Sequence, residues 1–387
     1  HHFEGHLGID EAQKLASRAF KAMEKIHYRR AWKIRFKSKD DDMSLEGKSA
    51  KSTLKRKGDK IAFGKGFELA MKVKANDEYA HLSLLDKTKY VRILKREIRG
   101  KQRFFVQLIQ EGFPPTKRNR KIANNNNRVG LDEGTSTVAI VSKDRVELRE
   151  LAPEINTDAK ELRRIERAMD RSKRATNPNN YNSNGTIKQG CKWAYSGSYK
   201  KLRSKRKEMH RKMAVLRKQS HEKLANDILA LGSDIRVETM RFQSLQKRAK
   251  KTTRNKKNDK INKKKRYGKS IANHAPAMLL TIIDRKLGYQ GRSIKKIDTY
   301  ATKASQYNHA TGEFSKKQLS ERWNNIEGMP IQRDLYSAFL IGNTTDSLNS
   351  IDVNLCNALW AQFVELHNRE IARLKQSNNK TLRWFVA

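Results

Sequence analysis

One stretch constrains the chain more than any other: Arg128-Val129-Gly130-Leu131-Asp132-Glu133-Gly134-Thr135-Ser136-Thr137-Val138-Ala139-Ile140-Val141. It reads as a buried strand ending in an acid, a glycine turn, and a β-branched strand running back. A carboxylate at the tip of a central strand is held rigidly, which suits a metal ligand better than an acid on a loop. Gly134 is expected to let the chain reverse beside Asp132 without a Cβ in the way. Taken alone, the stretch also fits a hairpin whose acid faces solvent, or a turn that cradles phosphate in an ATPase. The remaining acids and the charge of the chain separate these readings.

That charge is large. Across 387 residues, 85 Lys and Arg stand against 41 Asp and Glu, a formal net charge of +44 with 36% hydrophobic residues. Such a surplus repels itself unless a polyanion neutralises it, so nucleic acid is the expected partner. A small nucleotide does not call for so many cations, which argues against the ATPase. No run of about 18 apolar residues is present, so no membrane span is expected. The two cysteines, Cys191 and Cys356, form no CxxC pair. They support neither a disulfide framework nor a four-cysteine zinc site, and they fit a reducing compartment. No signal-peptide pattern is visible at the start.

The rest of the chain sorts into segments. Asp10–Gln13 looks like a helix cap, followed by apolar residues at helical spacing from Leu15 to Ile26, a packing helix. From Arg30 to about Gly112 the period changes to that of strands, with Trp32–Phe36 alternating and Arg99-Gly100 as a hairpin turn. Short basic strands of this kind suggest a small barrel, with Lys33, Arg35, Arg92, Lys95 and Arg96 on a face that tracks phosphate. Pro114-Pro115 and the Asn124–Asn127 run mark a linker. Beyond the central hairpin come a strand at Arg145–Leu151, a basic helix at Glu161–Arg174, and an Asn- and Gly-rich loop at Asn177–Gly190. A long helix follows from Tyr199 to Leu231, stopped by Gly232. Its cations, among them Lys200, Lys201, Arg203, Lys205 and Arg206, are expected to lie along a nucleic-acid backbone.

Asp234–Met240 is a short buried strand ending in a second acid, Glu238. Lys247–Lys269 holds 13 Lys and Arg and one acid, including Lys263, Lys264, Lys265 and Arg266. It reads either as a flap over incoming single-stranded DNA or as a basic tether. Asn273–Leu287 is a capped helix and Ser293–Asp298 a further strand. Ala304–Pro330 is polar and irregular, and a helix starting near Ile331 carries the third acid, Asp334, in its first turn. The tail beyond Asp346 has two helical patterns and is close to charge-neutral. Asp132, Glu238 and Asp334 thus stand at two strand ends and one helix start. Hydrolysis of a phosphodiester by two metal ions about 4 Å apart needs several hard oxygen ligands of this kind.

Three stretches now resemble the motifs of a known family, the TnpB proteins of bacterial insertion sequences and their miniature type V CRISPR relatives. Gly130-Leu131-Asp132-Glu133-Gly134 resembles the first motif, Val237-Glu238-Thr239-Met240 the second, and Arg333-Asp334-Leu335-Tyr336-Ser337-Ala338 the third. The likeness runs from about Val129 to Gly342 and is weaker across the β-rich front half. It implies an α+β multidomain protein built on an RNase H-like (RuvC) mixed sheet with flanking helices. A short helical segment (1–30) and a small basic β-barrel, wedge-like (31–125), would precede the nuclease domain (126–345), and a helical extension (346–387) would follow it. The resemblance also implies an RNA-guided, Mg²⁺-dependent DNA endonuclease, with Asp132, Glu238 and Asp334 holding two ions. Guide RNA and target DNA are the implied partners, at the nucleoid of the bacterial cytoplasm, and base pairing supplies sequence choice. One departure stands out. Where relatives carry a four-cysteine zinc ribbon, the segment 302–330 has Lys303–His309 and no cysteine, so no zinc is expected and His309 reads as a surface residue. That loss keeps a second reading open, a guide-dependent DNA-binding protein that does not cut.

Overall fold

The computed structural model describes all residues except 1–6, 39, 40, 65, 116–124, 252, 256–261, 263–266, 317, 319 and 320, and the side chains of 156, 157 and 159. The chain divides into two units, His1–Arg118 with Ala168–Glu208, and Asn119–Arg167 with Met209–Ala387.

The first unit opens with helix α1 (Ile9–His27). Its N-cap is Gly8, not Asp10, and Gln13 accepts from Lys48 instead of closing a capping box. The expected packing role is also reversed. Phe20 and Met23 are 67% and 54% exposed, and the helix docks through buried Glu11, whose carboxylate accepts the Leu54 N–H at 3.0 Å. Residues 32–36 form no strand, because no partner strand pairs with them, and Trp32 is fully exposed. Strands β1 (Met43–Glu46), β2 (Leu54–Lys57), β3 (Lys60–Phe63) and β4 (Phe67–Ala70) come next, then helix α2 (Glu78–Leu84) and strands β5 (Thr88–Ile98) and β6 (Lys101–Gln110). They make two antiparallel sheets, β1-β5-β6 and β2-β3-β4, which share a small core of Leu54, Ile61 and Val91. Arg99 and Gly100 both take positive φ in the β5–β6 turn, the conformation that matches the twist of a two-residue hairpin. The end of helix α3 (Asp158–Thr176), the loop 177–196 and the start of helix α4 (Gly197–Leu231) complete the unit.

The second unit is a mixed sheet flanked by helices. Strands β7 (Arg128–Glu133), β8 (Thr137–Ser142) and β9 (Arg145–Glu150) form an antiparallel meander, and β10 (Asp234–Glu238) and β11 (Lys295–Ile297) lie parallel to β7, giving the order β11-β10-β7-β8-β9. Alternation along β7 and β8 divides the apolar side chains between two cores. Val129, Leu131, Val138 and Ile140 face Leu224 and Ile228 of α4 and Leu279 and Ile283 of helix α7 (Pro276–Gly288). Ala139 and Val141 face Leu335 and Phe339 of helix α9 (Arg333–Gly342), backed by Trp360 and Phe363 of helix α10 (Val353–Gln376). Smaller elements fill the connections: helices α5 (Phe242–Leu245), α6 (Gly268–His274), α8 (Thr299–Thr302) and α11 (Lys380–Trp384), and strands β12 (Trp323–Ile326) and β13 (Met329–Gln332).

Two expectations change here. The segment expected to be irregular contains the β12–β13 hairpin, turned by Glu327 and Gly328 at positive φ. His309 is not a surface residue. It is 3% exposed, and its Nδ1 lies 2.7 Å from the Tyr336 hydroxyl, which also accepts the His309 N–H at 3.1 Å.

Candidate active site

The position of α9 is set by a glycine. A Cβ on Gly130 would run into the backbone of Ala338 and Gly342, so only glycine lets the helix lie directly on β7. Gly134, the turn glycine, has no positive φ, and a Cβ there would meet Thr137 at 3.3 Å. Close approach at Gly130, more than reversal at Gly134, is what the site demands of glycine.

The three acids meet at one end of the sheet. Leu131 pairs with Val237 in the parallel β7–β10 ladder, which brings Asp132 and Glu238 side by side at adjacent strand ends. Asp334 enters from the first turn of α9, the helix that crosses β7, β8 and β10. The electrostatics register this meeting. Burial pushes the Asp132 carboxyl well above the usual carboxylate range, and the charges of Asp334 and Glu238 push it further, opposed by the Ser337 hydroxyl and by Arg333. Burial also raises Glu238. Asp132 is thus hard to ionise while Asp334 and Glu238 carry charge, a cost that bound cations would remove.

Asp334 has partners of its own. Arg322 approaches its Oδ2 at 3.7 Å, Arg333 its Oδ1 at 3.6 Å, and the Gln332 amide donates to Oδ2 at 3.2 Å. The same Gln332 caps α9, its Oε1 accepting the Leu335 N–H at 2.8 Å. Arg322 is itself fixed, stacked on Trp384 and Phe385 at 4.2 and 4.7 Å from the ring centres. Among the described residues no set of three or more His, Cys, Asp or Glu side chains is gathered closely enough to ligate a metal ion. In donor chemistry the trio fits a hard divalent cation, being all carboxylate, mutually repelling and partly buried. One further acid was not anticipated. Glu133 points to the opposite face of β7, is 5% exposed, and has no hydrogen-bond partner for either oxygen among the described residues. Burial, with the Asp132 charge behind it, pushes its carboxyl up to about 8. No spacing rule singles out Glu133, Arg322, Gln332 or Ser337, although Ser337 stands one turn beyond Asp334.

The basic residues expected to track phosphate lie in varied settings of the first unit. Lys33 and Arg35 sit outside any strand. Arg92 pairs with Glu46 at 2.6 Å, and Arg96 with Asp42 at 3.2 Å. Lys95 is half-buried on β5. On α4, Lys200, Lys201, Arg203 and Lys205 are exposed and Arg206 is half-buried. Lys263, Lys264, Lys265 and Arg266, and with them much of the Lys247–Lys269 run, lie outside the described residues.

No protein-family model matches this chain, and no curated protein matches its sequence. Solved structures do match its fold. The protein of a Cas12f1–sgRNA–target DNA complex, determined by cryo-EM, superposes with a TM-score of 0.51 at 13% identity, covering 87% of this chain and 71% of that one. A CRISPR–Cas12f ternary complex covers the same shares at 15% identity with a TM-score of 0.30, too low to bear on the argument. The mixed sheet and its flanking helices are therefore arranged as in a Cas12f protein. Among the described residues, no helix is long and apolar enough to cross a membrane.

Proposed function

We propose that the protein is an RNA-guided DNA endonuclease of the TnpB and miniature type V kind, acting on DNA at the bacterial nucleoid through an RNase H-like (RuvC) site. The observation that carries this reading is the convergence of Asp132, Glu238 and Asp334 on one sheet end, where the charges of two raise the third. A sheet whose first strand has an antiparallel neighbour on one side and a parallel neighbour on the other, with an acid on each of the parallel pair, supports the RNase H-like assignment. The matching fold belongs to a protein solved with sgRNA and target DNA. A charge of +44 suits the same two partners.

Asp132, Glu238 and Asp334 would hold Mg²⁺. When bound, such ions supply activation of water and charge stabilisation at the leaving oxygen. The residues' own part is placement. β7 and β10 fix two carboxylates through main-chain pairing, and Gln332 and Gly130 fix the helix that carries the third. Arg322 and Arg333 face Asp334 from 3.7 and 3.6 Å.

The second reading is guide-dependent DNA binding without cleavage. It is favoured by the engagement of Asp334 with Arg322, Arg333 and Gln332, which occupies the acid that must reach the ions. Purified protein with its guide RNA, Mg²⁺ and a matched duplex distinguishes the two. Cleavage that is lost in Asp132→Ala, Glu238→Ala and Asp334→Ala while DNA binding persists supports the nuclease. A stable complex with uncut DNA supports the binder.

A further inference from the structure

The loop 177–196 takes no part in the chemistry above, yet it is built with care. Buried Asn177 ties its two ends together. Its Nδ2 donates to the carbonyls of Lys173 and Ala194, both at 2.9 Å, and its Oδ1 accepts the Ala194 N–H at 2.8 Å. Asn180 clamps the middle, donating to the Lys192 carbonyl at 2.8 Å and accepting the Lys188 N–H at 3.0 Å. Asn182 and Thr186 close the tip with a backbone bond of 2.8 Å and a side-chain bond of 2.9 Å. A polar loop with this many internal bonds holds its side chains in place before any ligand arrives.

What it holds are rings beside cations. Lys173 lies 3.5 Å over Trp193, and Arg174 lies 4.6 Å over Tyr181. Tyr195, at the end of the loop, stacks on Tyr199 in the first turn of α4, with ring centres 4.6 Å apart and 20° between planes. Tyr195 is 38% exposed. Arg203 follows Tyr199 one helical turn later on the same stripe, and Lys200 and Lys201 are exposed beside it. A base stacks on a flat ring whatever its identity, while the adjoining phosphate takes a cation. A duplex keeps its bases stacked inside and offers mainly its backbone.

We propose that the Tyr195–Tyr199 stack is a seat for an unpaired base, with Lys200, Lys201 and Arg203 holding the neighbouring phosphates. The ligand is a single-stranded segment of nucleic acid, RNA or DNA, and the proposal rests on the reading that this protein binds nucleic acid. The test uses the full-length protein and three fluorescent probes: a 15-nucleotide oligouridine, a 15-nucleotide oligothymidine, and a 15-base-pair RNA duplex. Tyr195→Ala should lower affinity for at least one single strand about tenfold, the size of one lost base stack. Duplex affinity and the salt dependence of binding should stay unchanged, and Tyr195→Phe should restore the loss. Whichever single strand responds identifies the ligand. Equal affinities in wild type and Tyr195→Ala, or an equal fall for duplex and single strands, overturns the proposal. If the wild-type protein binds none of the probes, the nucleic-acid reading falls with it.

Discussion

Replacing Glu133 with glutamine should stabilise the protein at neutral and alkaline pH and do almost nothing in mild acid. In the native state this carboxyl is buried without a hydrogen-bond partner among the described residues, and its pKa rises from 4.5 to about 8. An unfolded chain ionises first as pH rises, so between those values folding must take up a proton. Stability is therefore lost across that window, by about 1.4 kcal/mol per pH unit. The penalty is close to zero at the unfolded pKa, about 3 kcal/mol at pH 7, and levels off near ~5 kcal/mol above pH 8. Glutamine keeps the shape and cannot ionise, so it removes the penalty while leaving a buried amide in place of a buried acid. Urea unfolding of wild type and Glu133→Gln at pH 5 and pH 8 measures it. The variant should gain at least about 3 kcal/mol at pH 8 and less than about 1 kcal/mol at pH 5. An equal difference at the two pH values, or a loss at pH 8, would falsify the assignment of a neutral, unpaired Glu133.

Three other outcomes follow from the same geometry. Gly130→Ala forces a methyl group into the backbone of Ala338 and Gly342; thermal unfolding should show a loss of about 3 kcal/mol or more, whereas Gly134→Ala should cost under about 1 kcal/mol. Tyr336→Phe removes the hydroxyl that serves both His309 Nδ1 and the His309 N–H, and denaturant titration should register about 1–3 kcal/mol for the stranded buried groups. Asp132→Ala should abolish Mg²⁺-dependent cleavage and leave guide-dependent DNA binding within about threefold, read by gel shift on the same samples.

How much of this was legible beforehand follows from which forces are local. The acids of β7, β10 and α9 could be found because each ends or begins an element with a clear apolar pattern, and burial of those patterns fixes the elements. Helices α4, α7 and α10 announce themselves for the same reason. Trp32–Phe36 alternates like a strand but finds no partner, and pairing cannot be read from one segment alone. The β12–β13 hairpin hides because Asn324, Asn325 and Pro330 are poor strand formers, and its register comes from the turn at Glu327-Gly328. His309 looked like a lone polar residue because its partner, Tyr336, lies on another element. The electrostatic fate of the acids was likewise out of reach. Arg322 meets Asp334 only through tertiary packing against Trp384 and Phe385.

The contact of α9 with Gly130 also sets the order in which the site can come into being. Asp132 and Glu238 become neighbours as soon as β7 and β10 pair, but the third carboxylate rides on a helix encoded far downstream. During synthesis, therefore, the nascent chain carries an incomplete trio with one face of its sheet still bare. Nothing short of residue 342 brings down the helix that covers that face. If the trio acts as proposed, a product that ends before this helix lacks the third carboxylate and would be inert toward DNA.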